Sequence, residues 1–244
     1  MPDGVAMMSD AAVVRPGSGL LPPWLRGTAP MPDASPRLLC GRRRSVKRAV
    51  DLGVCLLLLP VLLPVMGVIA VAVRAGSPGP IFYGHERIGR GGRRFTILKF
   101  RTMVQGADEL LDSYLASCPR LAEEWSETQK LRHDPRITRV GKFLRATSLD
   151  ELPQLWNVLR GDMALVGPRP IIDEELPRYG PAVQLYQQVR PGITGIWQTS
   201  GRNELSYDQR VRLDVMYLRR WSVGMDLWLL ARTAATVWRR RGAY

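Results

Sequence analysis

The strongest constraint in this chain is a run of 22 residues without a charge, positions 52–73. As a straight helix it would be roughly 33 Å long at 1.5 Å per residue, against about 30 Å of membrane hydrocarbon. Length alone predicts a membrane span. Two features argue against a simple one. Pro60 and Pro64 sit in the middle, and each removes a helix hydrogen bond and crowds the preceding turn. Both flanks are basic: Arg42, Arg43, Arg44, Lys47 and Arg48 before, then Arg74, Arg87, Arg90, Arg93 and Arg94 after. Positive flanks stay on the cytoplasmic side, so a helix–break–helix that dips in and returns satisfies both observations. A kinked spanning helix remains open on physical grounds alone, because proline is tolerated in membrane helices.

The formal net charge of +13 suits an anionic partner, whether nucleic acid, anionic lipid or a phosphorylated substrate. Three cysteines without CxxC spacing exclude a disulfide framework or a cysteine zinc site and fit a reducing compartment. Two histidines give no support to a Ser/His/Asp triad or a His-rich metal site. The opening MPDGVAMMSD carries neither a basic start nor an apolar core, so no secretory signal is expected there.

Four segments are expected. Residues 1–40, with seven prolines and three arginines balanced by three aspartates, read as a disordered segment. Residues 41–76 are the basic flank and membrane helix. Residues 77–220 form a cytoplasmic catalytic domain. Residues 221–244 form a C-terminal helix with Leu227, Leu230, Ala234 and Val237 on one side, an interfacial or a core helix at comparable odds. Within the third segment, residues 81–83 and 93–103 read as strands around the Gly89–Gly92 turn. That turn is neither a Walker loop nor GxGxxG. Lys99 and Arg101 are two apart, a spacing that suits gripping a diphosphate or a solvated strand face. Residues 104–133 read as an acidic amphipathic helix broken at Pro119, and residues 204–220 as another amphipathic helix.

The stretch that carries chemistry is TSLDELPQLWNVLRGDMALVGPRP, residues 147–170. Ser148 followed by Glu151 is a capping-box pattern, which predicts Asp150 and Glu151 in the first turn of a helix ended by Gly161. Neighbouring helical side chains diverge by about 100°, so two acids there cannot share a proton and take separate roles. One can bind Mg²⁺, which accepts a few carboxylates and fills its shell with water and phosphate oxygens. The other can attack phosphorus. Arg145, Arg169 and Arg190 are candidates to neutralise a transferred phosphoryl group. The segment 189–203 adds planar donors in Arg190, Gln198 and Arg202 among glycines that allow close ligand approach. The plain reading of the acids, a helix cap and a dipole-complementing charge, competes with this chemistry.

Four blocks, KRAVDLGVCLLLLPVLLPV (47–65), FTILKFRTM (95–103), DPRITRVGKFLRATSLDELPQLWNVLRGDMALVGPRP (134–170) and VRPGITGIWQTSGRN (189–203), together resemble the bacterial sugar transferases. These are monotopic phosphoglycosyl transferases that start exopolysaccharide and O-antigen synthesis. YGHERIGRGGRRF (83–95) and the ending Arg-Gly-Ala-Tyr244 are most similar to the short exopolysaccharide-initiating members. Those transfer galactose-1-phosphate and lack the extra N-terminal membrane helices of the long members, an expectation carried to this chain. The resemblance implies a mostly α fold with a small β-hairpin, on a re-entrant helix–break–helix and interfacial amphipathic helices. It implies a UDP-hexose and undecaprenyl phosphate as substrates, UMP as leaving group, and Mg²⁺ as cofactor. By motif, Asp150 is the nucleophile and Glu151 the Mg²⁺ ligand. Arg145 and Arg169 fall on phosphate-binding arginines, and Lys99 and Arg101 on a basic strand. The family often breaks its membrane helix at Ser-Pro; here Leu63 precedes Pro64 and a second proline stands at 60. Expected surroundings are membrane lipids, no nucleic acid, a homodimer as an open option, and the cytoplasmic face of a bacterial inner membrane. A diphosphate hydrolase and a basic membrane-tethered binding protein for an anionic polymer are the rivals.

Overall fold

The computed structural model describes residues 38, 40–128, 131, 133–200 and 205–238. It is mostly helical. The apolar run lies inside α1 (Gly41–Gly76), assigned as one helix of 36 residues that carries both Pro60 and Pro64. The break expected at the prolines is therefore not an interruption of the helix; proline bends a helix more readily than it ends one when the next turn can still bond.

Both ends of α1 dock on the same body. Near its start, Arg48 donates to the carbonyls of Val158 (2.6 Å) and Leu159 (3.0 Å), and Cys55 is buried against Leu155. Lys47 is buried between Asp51 (2.6 Å) and Asp226 (3.0 Å), while Asp51 accepts from the Leu165 backbone. Near its end, Ile69 and Val73 join Phe100 and Leu144 in a core cluster edged by Met66, Leu149 and Leu152. Between those two docks the helix is apolar and uncovered: Leu57, Val61, Leu63 and Val68 are all more than half exposed.

The hairpin is β1 (Phe82–Ile88) and β2 (Arg94–Phe100), antiparallel with Tyr83 opposite Lys99 and His85 opposite Ile97. Glycines Gly91 and Gly92, both at φ 72°, allow the tight turn between them. Then come α2 (Ala107–Ala116) and α3 (Pro119–Thr128), separated as the proline predicts. Next, α4 (Arg139–Thr147) leads through a short turn to α5 (Gln154–Arg160). Thr138 caps α4 by accepting from Gly141 N–H (2.9 Å). Gly141 is forced to be small: a Cβ there would collide with the Thr102 backbone. That close approach brings α4 onto the end of β2.

A second, parallel pair of strands was not foreseen: β3 (Ala164–Val166) and β4 (Gly192–Thr194). Three short helices, α6 (Leu176–Tyr179), α7 (Val183–Tyr186) and α8 (Ile196–Thr199), carry the connections. They lead to α9 (Tyr207–Arg220) and α10 (Val223–Trp238). α9 begins with a true capping box, Ser206 with Gln209. α10 docks through Met225, Asp226 and Leu229, whereas Leu227 is half exposed. The stripe that includes Leu227 thus faces away from the body, and the docked side is one residue round.

Candidate active site

Asp150 and Glu151 do not open a helix. They lie in a 3₁₀ turn, Leu149–Glu151, between α4 and α5. Ser148 is not a capping-box residue: its backbone is left-handed (φ 55°), and it closes α4 by donating to the carbonyl of Arg145 (3.2 Å). The reason is local. A helix through residues 139–160 would run into Pro153, whose ring clashes with the carbonyl four residues back. The chain instead reverses at Ser148 and restarts after Pro153. The turn is pinned on both sides by Leu149 and Leu152, which pack against the second dock of α1. So the acids stand between the places where the two ends of α1 meet the body.

Glu151 accepts from Lys99 Nζ (2.7 Å). Burial pushes the Asp150 carboxyl up to about 6; Lys99 pulls the other way, the neighbouring Glu151 charge adds to the rise, and Arg145 lowers it. Arg145 is itself set in place by Thr102, whose hydroxyl accepts from its Nε (2.9 Å). Burial lowers the Arg145 pKa, offset by Asp150 and Asp134. Asp134 is occupied by a two-pronged pair with Arg136 (2.7 and 2.9 Å). Its charge is thereby committed to Arg136, and it reaches Arg145 only through space.

The other expected residues divide. Arg101 is buried and donates to the carbonyls of Ser77 (2.7 Å) and Pro78, which closes the turn after α1. Both its terminal nitrogens are engaged in that turn and the side chain is buried, so it is not presented to a ligand beside Lys99. Arg190 is not with the acids either. Its Nε donates to the carbonyl of Gly161 (2.6 Å), at the far end of α5. Gln198 donates to Ile193 O (3.2 Å) within the β4–α8 segment. Arg202 lies outside the described residues.

Arg169 pairs with Glu175 (2.9 Å), and its backbone N–H is received by Asp214. Asp214 is buried and also accepts from the Tyr179 hydroxyl (2.7 Å); burial pushes its pKa up to about 7. Arg169 has company the sequence reading missed. Burial and then the Arg169 charge lower the pKa of both Arg87 and Arg210. The His85 pKa is lowered by burial, then by Arg87, Lys99 and Arg169. His85 therefore lies within reach of both the Lys99 side and the Arg169 side. A signal was present: Tyr83, His85 and Arg87 alternate on one strand, and the register puts them on the same hairpin face as Lys99. The result is a band of cations leading from the two acids across the hairpin face to Arg169. Such a band suits a ligand with two linked phosphates.

Comparisons with known proteins agree on one family. The family described as bacterial sugar transferase matches residues 42–240. The UDP-galactose-lipid carrier transferase of Erwinia amylovora is 50% identical over 201 residues, 82% of this chain and 42% of that protein. The undecaprenyl-phosphate galactose phosphotransferase of Salmonella typhimurium is 48% identical over 201 residues, with the same coverage of 82% and 42%. The exopolysaccharide production protein ExoY of Sinorhizobium fredii is 46% identical over 198 residues, 81% of this chain and 88% of that protein. The chain thus spans less than half the length of the first two and most of the third.

Proposed function

The chain belongs to the bacterial sugar transferase family, and from that premise we propose that it is a membrane-bound phosphoglycosyl transferase. It moves hexose-1-phosphate from a UDP-hexose to undecaprenyl phosphate, the first step of an exopolysaccharide. Galactose is the favoured hexose, because the relatives at 50% and 48% identity carry galactose in their names. The observation that carries the reading is the half-buried Asp150, its carboxyl raised to about 6 beside Lys99, Glu151 and Arg145, on a turn clasped by the two docks of α1.

In this reading Asp150 attacks the β-phosphorus. Its Oδ–P bond forms as the P–O bond to UMP breaks, and UMP leaves with that electron pair. An oxygen of undecaprenyl phosphate then attacks the same phosphorus, and the Oδ–P bond breaks to return the carboxylate. A nucleophile needs its charge, and a carboxyl titrating near 6 is ionised at neutral pH yet poorly solvated, hence reactive. Arg145 lies close enough to balance charge on the phosphoryl group. Arg169, Arg87 and Arg210 are set to receive the nucleotide phosphate.

The acid pair fits Mg²⁺, which needs only one or two carboxylates when phosphates complete its shell. Among the described residues no group of three or more acidic, histidine or cysteine ligands exists, so a site made wholly of protein is not the expected kind. Glu151 would hold the ion, which when bound neutralises diphosphate charge. Lys99, which pairs with Glu151 at 2.7 Å, stands where it can also meet a diphosphate oxygen.

The membrane reading rests on how α1 is held. A helix crossing the bilayer would leave one flank on the far side, but both flanks here are packed into one body. That supports a helix whose two flanks stay on one side of the membrane. Phe143 on α4 and Trp156 on α5, exposed by 52% and 55%, flank the acid turn and suit an interfacial plane at the cytoplasmic face.

The test is direct. Membranes bearing the chain are given Mg²⁺, undecaprenyl phosphate and a panel of UDP-sugars, with UMP and lipid product as readouts. UMP release that depends on undecaprenyl phosphate is expected, and Asp150→Asn should abolish it with membrane levels unchanged. Release driven by water with no lipid product would overturn the reading, as would full transfer by the Asn variant.

A further inference from the structure

At the end of α5 remote from the acids, a cleft opens between the start of α1, the hairpin tip and the segment before β4. Its lining includes Arg44, Lys47, Arg90 and Arg190, with Asp51 as the one carboxylate, and its mouth is open to solvent. The charges do not cancel. Asp51 already serves Lys47 and the Leu165 N–H, and Lys47 is completed by Asp226. Arg190 uses Nε on Gly161, and among the described residues its two terminal nitrogens make no hydrogen bond. Arg44 Nε is buried with no hydrogen-bond partner. Burial, then Arg90, Arg48 and Arg44 in turn, depress the pKa of Arg190. Guanidinium groups gathered without a counter-charge repel one another, most where burial keeps water from screening them. A buried donor left unpaired adds to that cost. An anion with several acceptor oxygens relieves both.

We infer that this cleft, formed by Arg44, Arg90 and Arg190, is a second anion site that takes a phosphate mono- or diester and is separate from the Asp150 site. Separation follows from α5. Arg190 holds Gly161, beyond its last residue, whereas Glu151 precedes its first, and seven helical residues span roughly 10 Å. The forked geometry of arginine matches phosphate oxygens in pairs. Location favours a phosphate borne by a lipid: Arg44 and Lys47 are one to two turns before the uncharged run of α1, where the helix leaves the body. A free phosphate has the same chemistry, so the experiment separates the two sources.

The full chain in uncharged detergent is examined by native mass spectrometry and thermal shift, with no turnover required, so the outcome stands apart from the transferase reading. The probes are phosphatidylglycerol, phosphatidylcholine and inorganic phosphate. Arg44→Gln with Arg90→Gln is the main variant. Arg90→Gln alone is the second, because Arg90 is exposed at the hairpin tip and its loss should leave the fold intact. Phosphatidylglycerol should bind wild type about tenfold or more tighter than phosphatidylcholine, and the double variant should lose that preference. A shift by inorganic phosphate with the same dependence on the variants would assign the site to a free phosphate instead. The inference is overturned if both variants bind every probe as wild type does, or if wild type prefers neither phosphatidylglycerol nor phosphate.

Discussion

At the scale of single residues, the chemistry turns on how Asp150 is held. Its carboxyl is raised to about 6 chiefly by burial. The reactive form is the ionised one, so kcat/KM should fall tenfold per pH unit below about 6 and level off above 7. Lys99 opposes the rise, so Lys99→Met should move that acid limb to higher pH besides lowering the rate; a limb that stays put would remove Lys99 from the site. Stability runs the other way. A carboxyl whose folded pKa is raised favours folding fully below its unfolded value near 3.9, and that contribution is lost as pH rises through 6. Asp150→Asn should therefore be at least as stable as wild type at pH 8, which calorimetry checks. Arg101 and Arg145 look alike in sequence but differ in duty. Arg101→Gln leaves buried carbonyls unpaired, so it should cost stability, about 2–3 kcal/mol, with KM little changed. Arg145→Gln should spare stability and lower transfer by about 100-fold or more, since one donor to a transferred group is typically worth that much.

Elements decide where those residues stand. The turn 149–151 is fixed because α4 docks one end of α1 and α5 docks the other. The buried set Lys47, Asp51, Asp226 and Tyr217 ties the start of α1 to α10. If α1 enters and returns, both its flanks stay on one side. With Cys40, Cys55 and Cys118 replaced, Ser45→Cys and Ala75→Cys, both at exposed positions, should resist an impermeant thiol reagent in intact cells. Both should react once the cells are broken. Labelling of either from outside would make α1 a spanning helix.

For the whole molecule, two attractions to a membrane compete for importance. The net charge of +13 draws the chain to anionic lipid, at about 1 kcal/mol per basic residue near the surface and screened by salt. The uncovered residues of α1, Leu56, Leu57, Val61, Leu63 and Val68 among them, each contribute about 1.5–3 kcal/mol on burial in hydrocarbon and do not respond to salt. The apolar share wins. Fractionation in 1 M NaCl should leave the protein in the membrane pellet, and detergent should release it; release by salt alone would make charge the anchor.

Local patterns were legible without coordinates because they need only neighbours in the chain. The uncharged run, the hairpin around Gly89–Gly92 and the helix break at Pro119 all belong to that class. So did the family, since four ordered blocks are long enough to be specific. What the sequence could not decide was which cation serves the acids and which serves the fold. Lys99, Arg101, Arg145 and Arg190 carry the same charge, yet Lys99 meets Glu151, Arg101 closes a turn, Arg145 leans on Thr102 and Arg190 caps α5. A charged side chain takes its role from the partners within a few ångströms, and those partners lie from 23 to 52 residues away in the chain. The acid turn makes the same point. Its capping-box spacing was read correctly as a pattern and wrongly as a helix start, because Pro153 and the packing of Leu149 and Leu152 against α1 outweighed one side-chain hydrogen bond.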